Sequence, residues 1–130
     1  MNPFLVFSDQ SILEANTNKL SLIGIFDKFT AQKTPFCAPS FFVNIAFNNP
    51  FEPGELDIHL LTTTTEDGKK ILEFKGKVVL NNPDHESLLF IPLRIPEMMF
   101  FNASGNLIKC EVTQKKKKIE CERVLKISGK

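Results

Sequence analysis

The sequence predicts an all-β protein, an antiparallel β-sandwich of about 7–9 strands in a single domain spanning 1–130. Three observations predict it. Apolar and polar residues alternate with period two wherever the pattern is clear, and no window sustains an apolar stripe at helical spacing. Clusters of Asn, Asp, Gly and Pro break these runs at short intervals. At 130 residues, one domain should bury roughly two thirds of the surface its unfolded chain exposes.

Phe4 to Phe7 reads as an opening strand. The next run, Asn18 to Phe29, carries Leu20, Leu22 and Phe26 on one parity and Ile23 and Ile25 on the other. Apolar residues on both parities predict a central strand covered on both faces, and Gly24 marks a bulge or the close approach of another backbone. Phe41, Val43, Ile45 and Phe47 alternate with Phe42, Asn44, Ala46 and Asn48, which predicts a strand with one apolar face. After the turn residues Asn48 to Gly54, Leu56, Ile58 and Leu60 face one way and Asp57 and His59 the other, continuing into Thr62 to Thr65.

Glu66-Asp67-Gly68-Lys69 is a hairpin signal, because Asp-Gly accepts the positive φ of the favoured two-residue turns. Lys70 to Leu80 and Ser87 to Ile95 are predicted strands on either side of a break at Asn81 to Glu86, and Pro92 and Pro96 argue that the second is an edge strand or a short one. Met98 to Ser104 is apolar and then loop-like. The last two strands, Asn106 to Thr113 and Ile119 to Ser128, flank a lysine-rich tip. Closing that hairpin over Gln114 to Lys117 pairs Thr113 with Lys118, Val112 with Ile119 and Cys110 with Cys121, both cysteines facing inward as a packed reduced pair or, with unusual geometry, a bridge. Arg123 takes inward parity and Val124 does not, which predicts a bulge there.

Composition excludes little. Sixteen Lys and Arg against fifteen Asp and Glu give a net charge of +1, which selects no partner. Thirteen Phe with no Tyr or Trp are rings without a hydrogen-bonding handle, best used as core filler. Met1 to Asp9 lacks the basic lead and apolar region of a secretory signal, and no apolar run approaches the ~20 residues that span a bilayer. A cytoplasmic protein without membrane contact is expected, and three cysteines suit that compartment.

Phe4 to Asp9 followed by Asn18 to Phe29 resembles the signature of an uncharacterised family of short bacterial and phage-associated proteins. In that family a first strand ending near an aspartate precedes a Leu-Ser-Leu-Ile-Gly-Ile-Phe-Asp run. The resemblance extends through Phe41 to Phe47, Pro53-Gly54 before Leu56 to Leu60, Asp67-Gly68, and Gly105 before the penultimate strand. Ser8 stands where a cysteine is expected, and Leu107 where an aromatic is common. The resemblance implies an immunoglobulin-like β-sandwich of unknown role, with no known cofactor or catalytic set.

Four groups of residues carry possible chemistry. Glu55, Asp57 and His59 share the polar face of one strand, where they could exchange a proton or hold a metal, or form an ordinary solvated face. Asp84-His85-Glu86 is a second histidine-containing cluster. Lys115, Lys116, Lys117 and Lys118 could contact phosphates, giving a salt slope of roughly −3.6 on duplex DNA, or simply keep the hairpin solvated. Phe42, Met98, Met99, Phe100 and Phe101 would form a protein contact if they are exposed together.

The expected function is therefore a non-enzymatic binding or assembly module without a cofactor, meeting a protein partner or a second copy of itself. The alternative is a nucleic-acid-associated accessory protein using Lys115 to Lys118. A small hydrolase or metal site near His59 stands below both.

Overall fold

Alternation turns the chain into strands throughout. The computed structural model describes residues 2–13, 20–31, 33, 35–80, 88–100 and 105–128. Their strands are β1 (Phe4–Leu13), β2 (Leu20–Phe26), β3 (Lys28–Thr30), β4 (Phe36–Ala38), β5 (Phe41–Asn48), β6 (Gly54–Thr64), β7 (Lys70–Leu80), β8 (Leu88–Ile95), β9 (Met98–Phe100), β10 (Asn106–Gln114) and β11 (Lys117–Ser128). Among the described residues no helix is long and apolar enough to cross a membrane.

One sheet has the order β2-β1-β5-β8, a second the order β3-β11-β10-β6-β7, and β4 and β9 form a separate ribbon. Neighbours run antiparallel except β3, which lies parallel to β11. Leu5, Phe7, Val43, Ile45 and Phe47 of the first sheet share one core with Leu56, Ile58, Leu60, Ile108, Cys110 and Val112 of the second, all 2% exposed or less. Each large apolar side chain buried this completely contributes about 1.5–3 kcal/mol. Five phenylalanines, Phe7, Phe26, Phe29, Phe36 and Phe41, make a continuous ring cluster with centroids 4.7 to 6.3 Å apart. The cluster ties the short strands β3 and β4 to the main core, which is how rings without polar handles serve as filler.

The final hairpin has the predicted register, with Cys110 opposite Cys121 and Val112 opposite Ile119. It closes more tightly than expected, because Gln114 also pairs with Lys117 and leaves a two-residue turn. The predicted bulge near Arg123 is absent, and pairing runs unbroken from Gln114 with Lys117 to Asn106 with Leu125. Arg123 keeps its inward parity because its guanidinium reaches the other sheet, donating to the Leu5 carbonyl at 3.0 Å and lying 5.8 Å from the Phe7 ring centre.

The run from Asn18 to Phe29 is not one central strand. It breaks at Asp27 into β2, an edge of the first sheet, and β3, an edge of the second. Ile23 and Ile25 are 48% and 66% exposed, so two apolar parities here reflect an uncovered edge. Gly24 adopts φ 71, a conformation that L side chains rarely take, and the group a Cβ would meet is the Asp9 side chain, so positive φ rather than an approaching backbone explains this glycine. Its strand gains no extra residue, since Ser8 pairs with Ile25 and Gln10 with Ile23 in one register.

The Asp67-Gly68 connection is longer than a two-residue turn. Thr64 N donates to Lys69 O and Gly68 N to Thr64 O, with Gly68 at φ 68. Asp67 accepts from Thr64 Oγ1 and Lys69 N, hydrogen bonds that hold its carboxyl below the ordinary value. β8 is an edge strand, as Pro92 requires.

Candidate protein-contact face

The two large sheets present unlike outer faces. Leu5 and Phe7 point into the core, so Phe4, Val6 and Ser8 point out, and strand register extends that outer face across the sheet. One row reads Ile25, Ser8, Phe42, Arg94; the next Val6, Asn44, Pro92; the next Phe4, Ala46, Phe90; and Leu88 stands beside Asn48. Arg94 is the single charge among them. Ile25 is 66% exposed, Leu88 50% and Phe4 38%, which places large apolar groups in water on a face where, among the described residues, Arg94 is the one charge.

Beneath these side chains the face is already dense. Ala46 is fully buried, with Phe4 and Phe90 packed edge to face at 6.4 Å on either side of it. Ser8 and Asn44 are also fully buried, and their polar atoms are satisfied. Asn44 Nδ2 donates to the Val6 carbonyl and to Ser8 Oγ at 3.0 Å each, and Asn44 Oδ1 accepts from Ser11 Oγ at 2.6 Å. Ser8 thus occupies its expected-cysteine position as a member of a hydrogen-bonded triad.

Phe42 lies on this face, half-buried between Ser8 and Arg94. Met98, Met99 and Phe100 do not join it. They form β9, paired with β4. Phe100 is fully buried and Met98 packs against the core, so neither is part of an exposed contact; Met99 is exposed, opposite the exposed Cys37. Phe101 lies outside the described residues, as does the Asp84-His85-Glu86 cluster.

The outer face of the second sheet is charged, with most of the charges paired, and it also exposes Val79 and Val124. His59 Nε2 lies 2.7 Å from Glu73 Oε2, and since a carboxylate only accepts, Nε2 carries the proton. His59 Nδ1 lies 3.8 Å from Glu111, which Lys109 and Lys118 also approach. The hydrogen bonds from His59 and then Lys70 hold Glu73 below its ordinary value. At Glu111 burial pushes upward, but the Lys118 hydrogen bond with the Lys118, Lys109 and His59 charges outweighs it. Asp57 pairs with Lys77, which also binds Glu55. A groove of about 490 Å³ runs here, lined by Asp57, His59, Lys75, Lys77, Glu111 and Thr113. Among the described residues no three His, Cys, Asp or Glu side chains converge as a metal-ligand set. Glu73 and Glu111, the actual neighbours of His59, come from other strands and are found only through the register of β6 with β7 and β10.

The lysine tip is partly engaged. Lys117 Nζ donates to the Pro50 carbonyl at 2.7 Å, and Lys118 sits 3.4 Å from both Glu111 and Glu120. Lys115 and Lys116 form the turn, with Lys115 at φ 55. Gln114 clamps the tip by exchanging two hydrogen bonds with the backbone of Glu52. The adjoining groove mixes Lys115, Lys116 and Lys117 with Glu52, Glu55 and Asp57, so its field is not that of a uniform phosphate cradle.

Cys110 and Cys121 are free thiols, and burial pushes them up to about 12 and about 11. Native protein should therefore react with a thiol reagent fastest at exposed Cys37, more slowly at half-buried Cys121, and at Cys110 only after unfolding. Rapid uptake of three equivalents by native protein would contradict that burial.

Neither the curated proteins nor the solved structures compared with this chain gave a significant match. Residues 3–106 match DUF6941, a family of unknown function. That match covers β1 to β9 and the start of β10, so both outer faces are family structure in large part. The chain is a member of the DUF6941 family.

Proposed function

We propose that this chain is a non-enzymatic binding or assembly module that docks a protein through the outer face of its four-stranded sheet. The finer architecture this reading assumes is an immunoglobulin-like sandwich, and the compartment it assumes is the cytoplasm. The observation that carries it is the contrast between the two outer faces. One carries charges paired with one another around the exposed Val79 and Val124; the other leaves Ile25, Leu88 and Phe4 in water around Phe42, with Arg94 the only charge among its described residues. Interface cores are depleted in charge and rich in large apolar groups, which the second description fits.

The test is affinity capture from the native host with paired variants. Phe4→Asp/Leu88→Asp should lose a protein that wild type retains, and Lys75→Ala/Lys77→Ala on the charged face should keep it. Equal retention by the first variant, with its fold verified by circular dichroism, would overturn the reading.

A further inference from the structure

Alternate residues of an edge strand direct N–H and C=O groups away from the sheet, and such a row pairs with another chain unless charge, proline or distortion prevents it. The two large sheets have four outer edges, β2, β8, β3 and β7. β8 contains Pro92 and Arg94, and β7 contains Lys70, Glu73, Lys75 and Lys77. β3 is three residues long and begins with Lys28. β2 spans seven residues with neither a charge nor a proline; its one distortion, Gly24 at φ 71, leaves the register with β1 unshifted, and the strand exposes Ile23 and Ile25.

The absence of charge also selects the partner. A two-fold axis across an antiparallel pair sets residues near the axis against their own copies, so a charged strand repels itself and a neutral one does not. Pairing over the whole of Leu20–Phe26 places its central residue, Ile23, opposite Ile23 of the second copy, and Ser21 opposite Ile25. Every such pair is uncharged, and Ile23 packs against its own copy.

We propose that β2 pairs antiparallel with β2 of a second copy of this chain, joining the two β2-β1-β5-β8 sheets edge to edge. This rests on the reading of the chain as an assembly module; it uses the β2 backbone edge, which borders the outer face at Ile23 and Ile25. It sets the two apolar faces side by side on one continuous sheet.

Light scattering at micromolar concentration tests it. Wild type should give twice the 14.7 kDa chain mass. Ile23→Lys and Ile23→Glu should each halve that mass, an equimolar mixture of the two should restore it, and Leu88→Lys at the far edge should leave it unchanged. If Ile23→Lys loses its folded circular dichroism spectrum, the more exposed Ile25→Lys replaces it. A monomeric wild type, a dimer indifferent to the β2 variants, a mixture that stays monomeric, or dissociation by Leu88→Lys would each overturn the pairing. A monomeric wild type leaves the outer-face reading to its capture experiment, and a failed capture beside an intact dimer does the reverse.

Discussion

Phe41→Ala is expected to lose about 3–5 kcal/mol of unfolding free energy, the largest effect of any single substitution considered for this chain. Phe41 is 1% exposed and its ring meets those of Phe7, Phe26 and Phe29 at 6.3, 5.7 and 5.6 Å. Truncation removes the transfer free energy of the ring and leaves a cavity that β2, β3 and β5 cannot all close upon, because each is fixed by its own strand pairing. Native stabilities of order 5–15 kcal/mol leave little after such a loss. Urea titration measures it, and a loss below about 1 kcal/mol would mean that the ring cluster does not join the small strands to the core.

Asn44→Leu should be the second-largest effect, roughly 2–4 kcal/mol, although it adds an apolar group to an apolar surface. The wild-type side chain is fully buried and bonded to the Val6 carbonyl, Ser8 and Ser11. Leucine strips partners from buried Ser8 and from the β1 backbone, and an orphaned buried group costs more than a bond contributes. Removing the orphan should therefore help. In an Asn44→Leu background, Ser8→Ala should be less destabilising than in wild type, and a double-mutant cycle showing strict additivity would contradict the triad.

Strands whose alternation is clean were legible in the sequence. The inward set of β6, and the pairing of Cys110 with Cys121, follow from period two and one turn, both local. Asn44 and Ala46 sit on the parity that local pattern assigns to solvent, yet both are buried, because neighbouring strands supply Ser8, Phe4 and Phe90 around them. β2 departs from its pattern for a related reason. Apolar residues on both parities describe a doubly covered strand and an uncovered edge equally well, and only strand order separates the two. β4 and β9 are three residues each, too short to show a period, and the parallel pairing of β3 with β11 joins segments at opposite ends of the sequence. Phe42 was found by its parity, whereas its companions Ile25, Phe4 and Leu88 required the sheet.

The most direct measurement of which face meets a partner is site-specific photocrosslinking in the native host. Benzoylphenylalanine at Leu88 or Phe4, on the apolar outer face, should produce discrete crosslinked adducts, and the same group at Lys77, on the charged outer face, should produce none. Adducts from Lys77 with none from Leu88 or Phe4 would contradict the account and move the contact to the other sheet.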